Sequence, residues 1–133
     1  MKIESTKVNV NASPEEIHSF LTDSNNILEL LPQDKISDWK STSSECSFKA
    51  QGGVTISLIQ NGSDGLEKVF MISGAKSPFP FKLTLHIHKK ENNCEGYIEF
   101  DGEVNMFLKM MVEKPLTSLF NHMAEKLQEK FPS

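Results

Sequence analysis

At 133 residues, with 38% hydrophobic and 24% charged side chains, the chain suits one folded domain rather than a disordered or membrane-spanning polypeptide. A chain of this length buries roughly 65–70% of its unfolded surface and so folds without a metal or disulfide staple. The net charge is −4 and all fourteen basic residues are lysines. Without the planar fork of arginine or a basic face, nucleic acid is excluded as an expected partner.

No apolar run approaches the ~20 residues that span a bilayer, and the opening MKIESTKVNV has no apolar signal-peptide core. The expectation is a cytoplasmic protein with no transmembrane segment. Cys46 and Cys94 show no CxxC or Cys/His spacing, which fits free thiols in a reducing compartment.

Lys2 to Val10 reads as a strand that ends at Asn11-Ala12. Ser13 can then cap a helix, Pro14 suits its first position, and Glu16 completes a capping box. That helix buries Ile17, Phe20 and Leu21 and stops near Thr22. Asp23 or Ser24 caps a second short helix carrying Ile27, Leu28 and Leu31, which must end by Pro32 because the residue before proline disfavours the helical region.

From Ile36 the apolar period becomes two. Six strands are predicted at Ile36–Ser41, Cys46–Ala50, Val54–Gln60, Leu66–Ser73, Phe81–Lys90 and Glu95–Val104, joined as a meander of hairpins. A loop at Gln51-Gly52-Gly53 pairs Phe48 with Ile56 and Cys46 with Leu58. The next turn pairs Leu58 with Val69 and Ile56 with Met71. Across Glu91 to Cys94, Ile87 falls opposite Ile98, Leu85 opposite Phe100, and Lys82 opposite Glu103 on the outer face.

The last quarter, Met106 to Phe131, is the long helix. Leu116, Leu119, Phe120, Met123, Leu127 and Phe131 recur at the spacing of one buried stripe, and the sheet is its natural partner. Pro115 lacks the amide that would bond to the Met111 carbonyl, so a kink, a break or a helix start is expected between Met111 and Pro115.

This layout, together with the run Val8-Asn9-Val10-Asn11-Ala12-Ser13-Pro14-Glu15-Glu16-Ile17-His18-Ser19-Phe20-Leu21 and with Leu31-Pro32, resembles the SRPBCC superfamily of START, polyketide-cyclase/dehydrase and pollen-allergen-like proteins. The resemblance implies an α+β helix-grip fold: a curved seven-stranded antiparallel sheet around the C-terminal helix, with two short helices after the first strand. It also implies a cavity for a small apolar molecule between sheet and helix. Phe48, Ile56, Met71, Phe79, Phe81, Leu83, Leu85 and Phe100 would line it, faced by Phe107, Met111, Phe120 and Met123 from the helix. The bland alternative is an ordinary filled core. Phe79, between two prolines in the loop Gly74–Pro80, reads equally as a gate or as a cover on the end of the core.

Other candidates are sparse. His86 and His88 share the outer face with Glu99 and Asp101 nearby, a geometry that could approach a metal, but two nitrogens are too few and neither a metal nor a cofactor is expected. No GxSxG or HExxH is present. If Glu4 and Thr6 share the inner face with Val8 and Val10, a carboxylate in an apolar cavity could serve as acid, base or anchor. Three functions therefore remain open. The first is sequestration of a hydrophobic or amphipathic ligand, the second cyclase/dehydrase-type catalysis, and the third a protein-interaction or homodimer module built on Phe107, Leu108, Met110, Met111 and Val112.

Overall fold

Strand β1 (Lys2–Glu4) and strand β2 (Val8–Val10) both pair with the same neighbour, because the expected first strand is broken at Ser5. In this computed structural model, which describes residues 1–50 and 53–131, the break accounts for eight strands where seven were predicted. Ile3 pairs with Phe100 but Val8 with Gly96, a slip of one residue that exchanges the two faces. Ile3 and Ser5 are consequently buried along with Val8 and Val10, while Glu4 and Thr6 are exposed. Ser5 holds the irregularity together: its amide donates to the Ile98 carbonyl and its hydroxyl accepts from the Ile98 amide, both at 2.8 Å.

Helix α1 (Pro14–Leu21) starts as its sequence dictates. The Ser13 Oγ accepts from the Glu16 amide at 3.2 Å, the expected cap, while the Glu16 carboxylate accepts from the Ser13 hydroxyl at 3.3 Å and not from the Ser13 amide that a full capping box would use. Ile17 and Leu21 are buried, and Phe20 packs edge-on against Phe131 at 5.9 Å. The second helix is a 3₁₀ helix, Ser24–Leu30, capped by Asp23. Its tighter turn places Ser24, Ile27 and Leu30 inward at a spacing of three, so Leu30 takes the buried place expected of Leu28.

The meander follows as β3 (Ser37–Ser41), β4 (Glu45–Lys49), β5 (Thr55–Asp64), β6 (Lys68–Ser73), β7 (Phe81–Lys89) and β8 (Cys94–Gly102). The sheet order is β1-β8-β7-β6-β5-β4-β3, with β2 also on β8. Phe48 pairs with Ile56 and Cys46 with Leu58 as expected, although Gln51 and Gly52 of that turn lie outside the described residues.

Two registers differ from the sequence reading. Strand β5 runs through Asn61 and Gly62 instead of turning there, so Leu58 faces Ser73 and Gln60 faces Met71. Gly62, at φ +84°, absorbs the bulge between Gln60 and Ser63 that lets the strand continue. Across the last hairpin the turn occupies Lys90–Asn93, so Leu85 faces Ile98 and Leu83 faces Phe100. That shift is even, which preserves the faces: the inner set is unchanged and Lys82 meets Asp101 rather than Glu103.

Helix α2 (Met106–Lys130) is continuous through Pro115, so neither the break nor the new helix start expected there occurs. Asn105 caps it, accepting from the Leu108 amide at 2.9 Å. The cost of Pro115 is contained because Met111, whose carbonyl loses its helical partner, lies on an exposed stretch where water can reach it. The second half of the helix is tied down by Asn121, which accepts from the Thr6 amide at 2.7 Å, and by Lys130, paired with Glu29 at 2.5 Å. Ser13→Ala should lower stability by ~1 kcal/mol through loss of the cap, read as a shift of denaturant midpoint at constant slope.

Candidate functional site

Ten of the twelve side chains expected around a cavity are packed against one another. Phe48, Ile56, Met71, Phe79, Phe81, Leu83, Leu85, Phe100, Phe120 and Met123 are each no more than 6% exposed. A void that admitted water would leave surface on the side chains around it, yet Phe100 has none. Its ring meets Phe81 at 5.1 Å and Phe120 at 5.4 Å, with Phe79 edge-on at 6.3 Å. The concave face is therefore filled here. Phe79 covers the end of this cluster, and Ser77 pins its loop by accepting from the Ser57 amide at 2.9 Å. The loop approaches so closely that a Cβ on Gly74 would lie 2.1 Å from the Ser57 hydroxyl.

Phe107 and Met111 correct the expectation that they face the sheet, being 72% and 56% exposed. The buried stripe of α2 runs through Val112, Leu116, Leu119, Phe120, Met123 and Leu127, with Leu108 half-buried at its start. Residues one position ahead of Leu108 and Val112 are turned ~100° away from that stripe. With Met106 at 75% and Met110 at 80% exposure, they make the first turns of α2 an uncovered apolar surface.

That surface leads into a cleft. Pro32, Lys35, Ile36 and Ala50 form one wall and Pro115, Ser118, Leu119 and His122 the other, around a volume of ≈ 60 Å³. Phe107, Met111, Pro115, Ser118 and His122 follow one another at intervals of three and four, so the exposed row and the α2 wall of the cleft are one continuous helix face. His122 lines the cleft with its ring, and its Nε2, which has no accessible surface, finds no hydrogen-bond partner among the described residues. Among the described residues, Lys35 has no carboxylate within 4.0 Å and the Ser118 hydroxyl no hydrogen bond. The sequence reading missed this cleft because Lys35 lies in a connection, Ile36 reads there as the start of the first meander strand, and His122 stands alone on the helix. The only signal was the three-to-four spacing from Phe107 to His122.

The remaining chemical candidates resolve to structure. Glu4 and Thr6 point to solvent. His86 is buried, stacked on Tyr97 at 4.3 Å with the planes 7° apart, and its Nε2 lies 2.9 Å from the Glu99 carboxylate. Among the described residues no three His, Cys, Asp or Glu side chains gather as a metal would require. Burial pushes the Cys46 thiol up to about 12, with Glu45 adding to the effect, and burial also raises Cys94. Neither is an activated nucleophile.

No protein-family model and no curated protein sequence matches the chain. Solved structures do. A START superfamily protein from Mycobacterium smegmatis aligns with TM-score 0.69 at 14% identity, over 98% of this chain and 96% of that one. A norcoclaurine synthase point mutant from Thalictrum, in complex with a transition-state analogue, aligns with TM-score 0.71 at 12% identity over 98% and 93%. The fold is the START-like helix grip. A third START-like neighbour is the Aha1 dimer from Colwellia psychrerythraea, with TM-score 0.67 at 15% identity over 98% and 96%. The neighbours thus carry one fold and unlike activities, so function has to be argued from the site.

Leu85 tests the filled interior of this START-like domain. It is 3% exposed and paired with Ile98 on the inner face of the sheet, so Leu85→Phe should force neighbours off their rotamers and cost ~1–3 kcal/mol, seen as a melting point lower by several degrees.

Proposed function

We propose that the protein binds a small amphipathic molecule at the mouth of its grip, along the first half of α2, rather than inside the sheet. The observation that carries this reading is the continuity of the exposed Phe107–Met111 row with the cleft beside Ser118 and His122. A largely apolar concavity with a few convergent polar groups is the usual form of a small-molecule site. Methionine suits such a wall because its unbranched chain adapts to different shapes. Catalysis of the cyclase/dehydrase kind is less well supported, since Glu4 is solvated and no other carboxylate enters the cleft lining.

The test uses 1-anilinonaphthalene-8-sulfonate as an apolar probe. Wild-type protein should bind it with enhanced fluorescence, and Phe107→Ser combined with Met111→Ser should weaken binding at least fivefold. The double variant should keep its stability within about 0.5 kcal/mol, since both side chains are exposed. Folded Leu85→Phe protein should bind the probe as wild type does. No uptake by wild type would sink the reading, and loss of uptake in Leu85→Phe alone would move the site back into the sheet.

A second reading has its own observation. Met106 and Met110 lie on the adjacent helix row with Glu113 and Thr117, outside the cleft lining, and a ligand there would leave them bare. Together the four exposed side chains offer roughly 500 Å² of apolar surface, the scale of one side of a small interface. A homodimer through this face would cover them. Sedimentation equilibrium across a hundredfold concentration range should then show a dimer that Met110→Lys converts to monomer; a wild-type monomer throughout would exclude it.

A further inference from the structure

We infer that the free protein pairs antiparallel with a second copy of itself through the first turns of α2, and that this pairing and the mouth ligand exclude one another, so that binding the ligand releases monomers. This rests on both readings above and joins them. Each uses Phe107 and Met111, which one occupant covers at the expense of the other.

The exposed row is its own complement. At about 100° per residue, Met106, Met110, Phe107 and Met111 spread over ~140° of the helix and stand symmetrically about a point between Leu108 and Lys109. A twofold axis through that point, perpendicular to the helix, sets Met106 against Met111 of the partner subunit and Phe107 against Met110 of the partner subunit. Each contact is then made twice. Both pairs are apolar, and a thioether against an aromatic ring is a favourable contact.

The charges agree with the same axis, which carries Lys114 towards Glu103 of the partner subunit. Both residues are exposed, and among the described residues neither has an opposite charge within 4.0 Å in its own chain. Lys109, beside the axis, does not meet its own copy: it is turned ~130° from the middle of the row, and its ammonium lies 4.0 Å from Glu113 on the same helix. A parallel pair would instead set Lys114 against Lys114 and Glu103 against Glu103, so the charges select the antiparallel arrangement. Two copies bring together roughly 1,000 Å² of apolar surface, the lower limit for a specific interface, so the pairing is weak enough for a small molecule to compete. A molecule on the Phe107–Met111 row removes one side of each apolar contact, and by linkage whatever the ligand costs the dimer, the dimer costs the ligand.

The experiment follows sedimentation equilibrium and the fluorescence of limiting 1-anilinonaphthalene-8-sulfonate over a hundredfold range of protein concentration. Wild type should dimerise as concentration rises, and its probe affinity per chain should fall at least threefold in parallel. Met110→Lys, which breaks the pairing from outside the cleft lining, should bind the probe with one affinity at every concentration. Glu103→Lys and Lys114→Glu should each weaken the dimer at least fivefold, because each opposes like charges twice. The double variant, with both pairs reversed, should return to within twofold of wild type. All three positions are exposed, so the variants should fold, which thermal melts check. A wild-type monomer throughout would overturn the pairing and leave mouth binding standing. A dimer that the double variant fails to restore would overturn the antiparallel register. A dimer whose formation leaves probe affinity unchanged would overturn the exclusion alone, whereas a wild type that takes up no probe at any concentration would overturn it together with the mouth reading.

Discussion

Phe100 is the residue on which the two layers of the protein meet. Its ring lies against Phe81 within the sheet and against Phe120 on α2, so one side chain on β8 seats the helix on the strands. An aromatic cluster of this kind buries a large area per residue and adds favourable edge and offset contacts between rings. It also fills the volume that a grip-shaped fold could otherwise leave open. Close packing at this point means that a guest between sheet and helix would first have to displace rings that are already in contact.

Filling the interior shifts the functional question to the rim. The helix is 25 residues long, and its buried stripe is continuous only from Val112 onward. Beyond that point the sheet and the 3₁₀ helix no longer cover it, and Met106, Phe107, Met110 and Met111 meet solvent. Such side chains are each more than half exposed, so polar residues there would cost the core little. An uncovered apolar surface of this kind is the usual form of a contact site, and the two occupants proposed for it are a small molecule on the Phe107–Met111 row and a second chain that also covers Met106 and Met110.

Much of the fold was legible in the sequence because its signals are local or depend only on parity. The Ser13 cap, the onset of period two after Ile36 and the stripe from Leu116 each need only a few neighbouring residues. The last hairpin was misaligned by two, yet its inner face came out unchanged because an even shift returns every side chain to the same side. Errors arose where one residue changed the count. Gly62 in a left-handed conformation continued β5 through what reads as a turn, and the slip at Ser5 turned Glu4 and Thr6 outward. The site was less legible. Phe107 and Met111 have the composition of core residues, and hydrophobicity alone does not say which face of a helix its partner covers. The cleft joins Lys35 to His122, residues far apart in sequence whose association depends on where α2 crosses the end of the 3₁₀ helix.

Pro115 stands at the boundary between the two halves of α2, and its position gives the division physical content. The residues after it hold the contacts that define the fold: Phe120 on Phe100, Asn121 on Thr6 and Lys130 on Glu29. Those before it hold the exposed row. A proline removes the one hydrogen bond from its own position to the Met111 carbonyl, so bending at that turn sacrifices less than it would anywhere else in the helix. In the rim-binding proposal the first ten residues of α2 are the part that adjusts to a guest, while the Phe100–Phe120 contact lies beyond the proline. A rigid core and an adaptable rim are compatible in one helix because the hydrogen-bond ladder is already interrupted where the two meet.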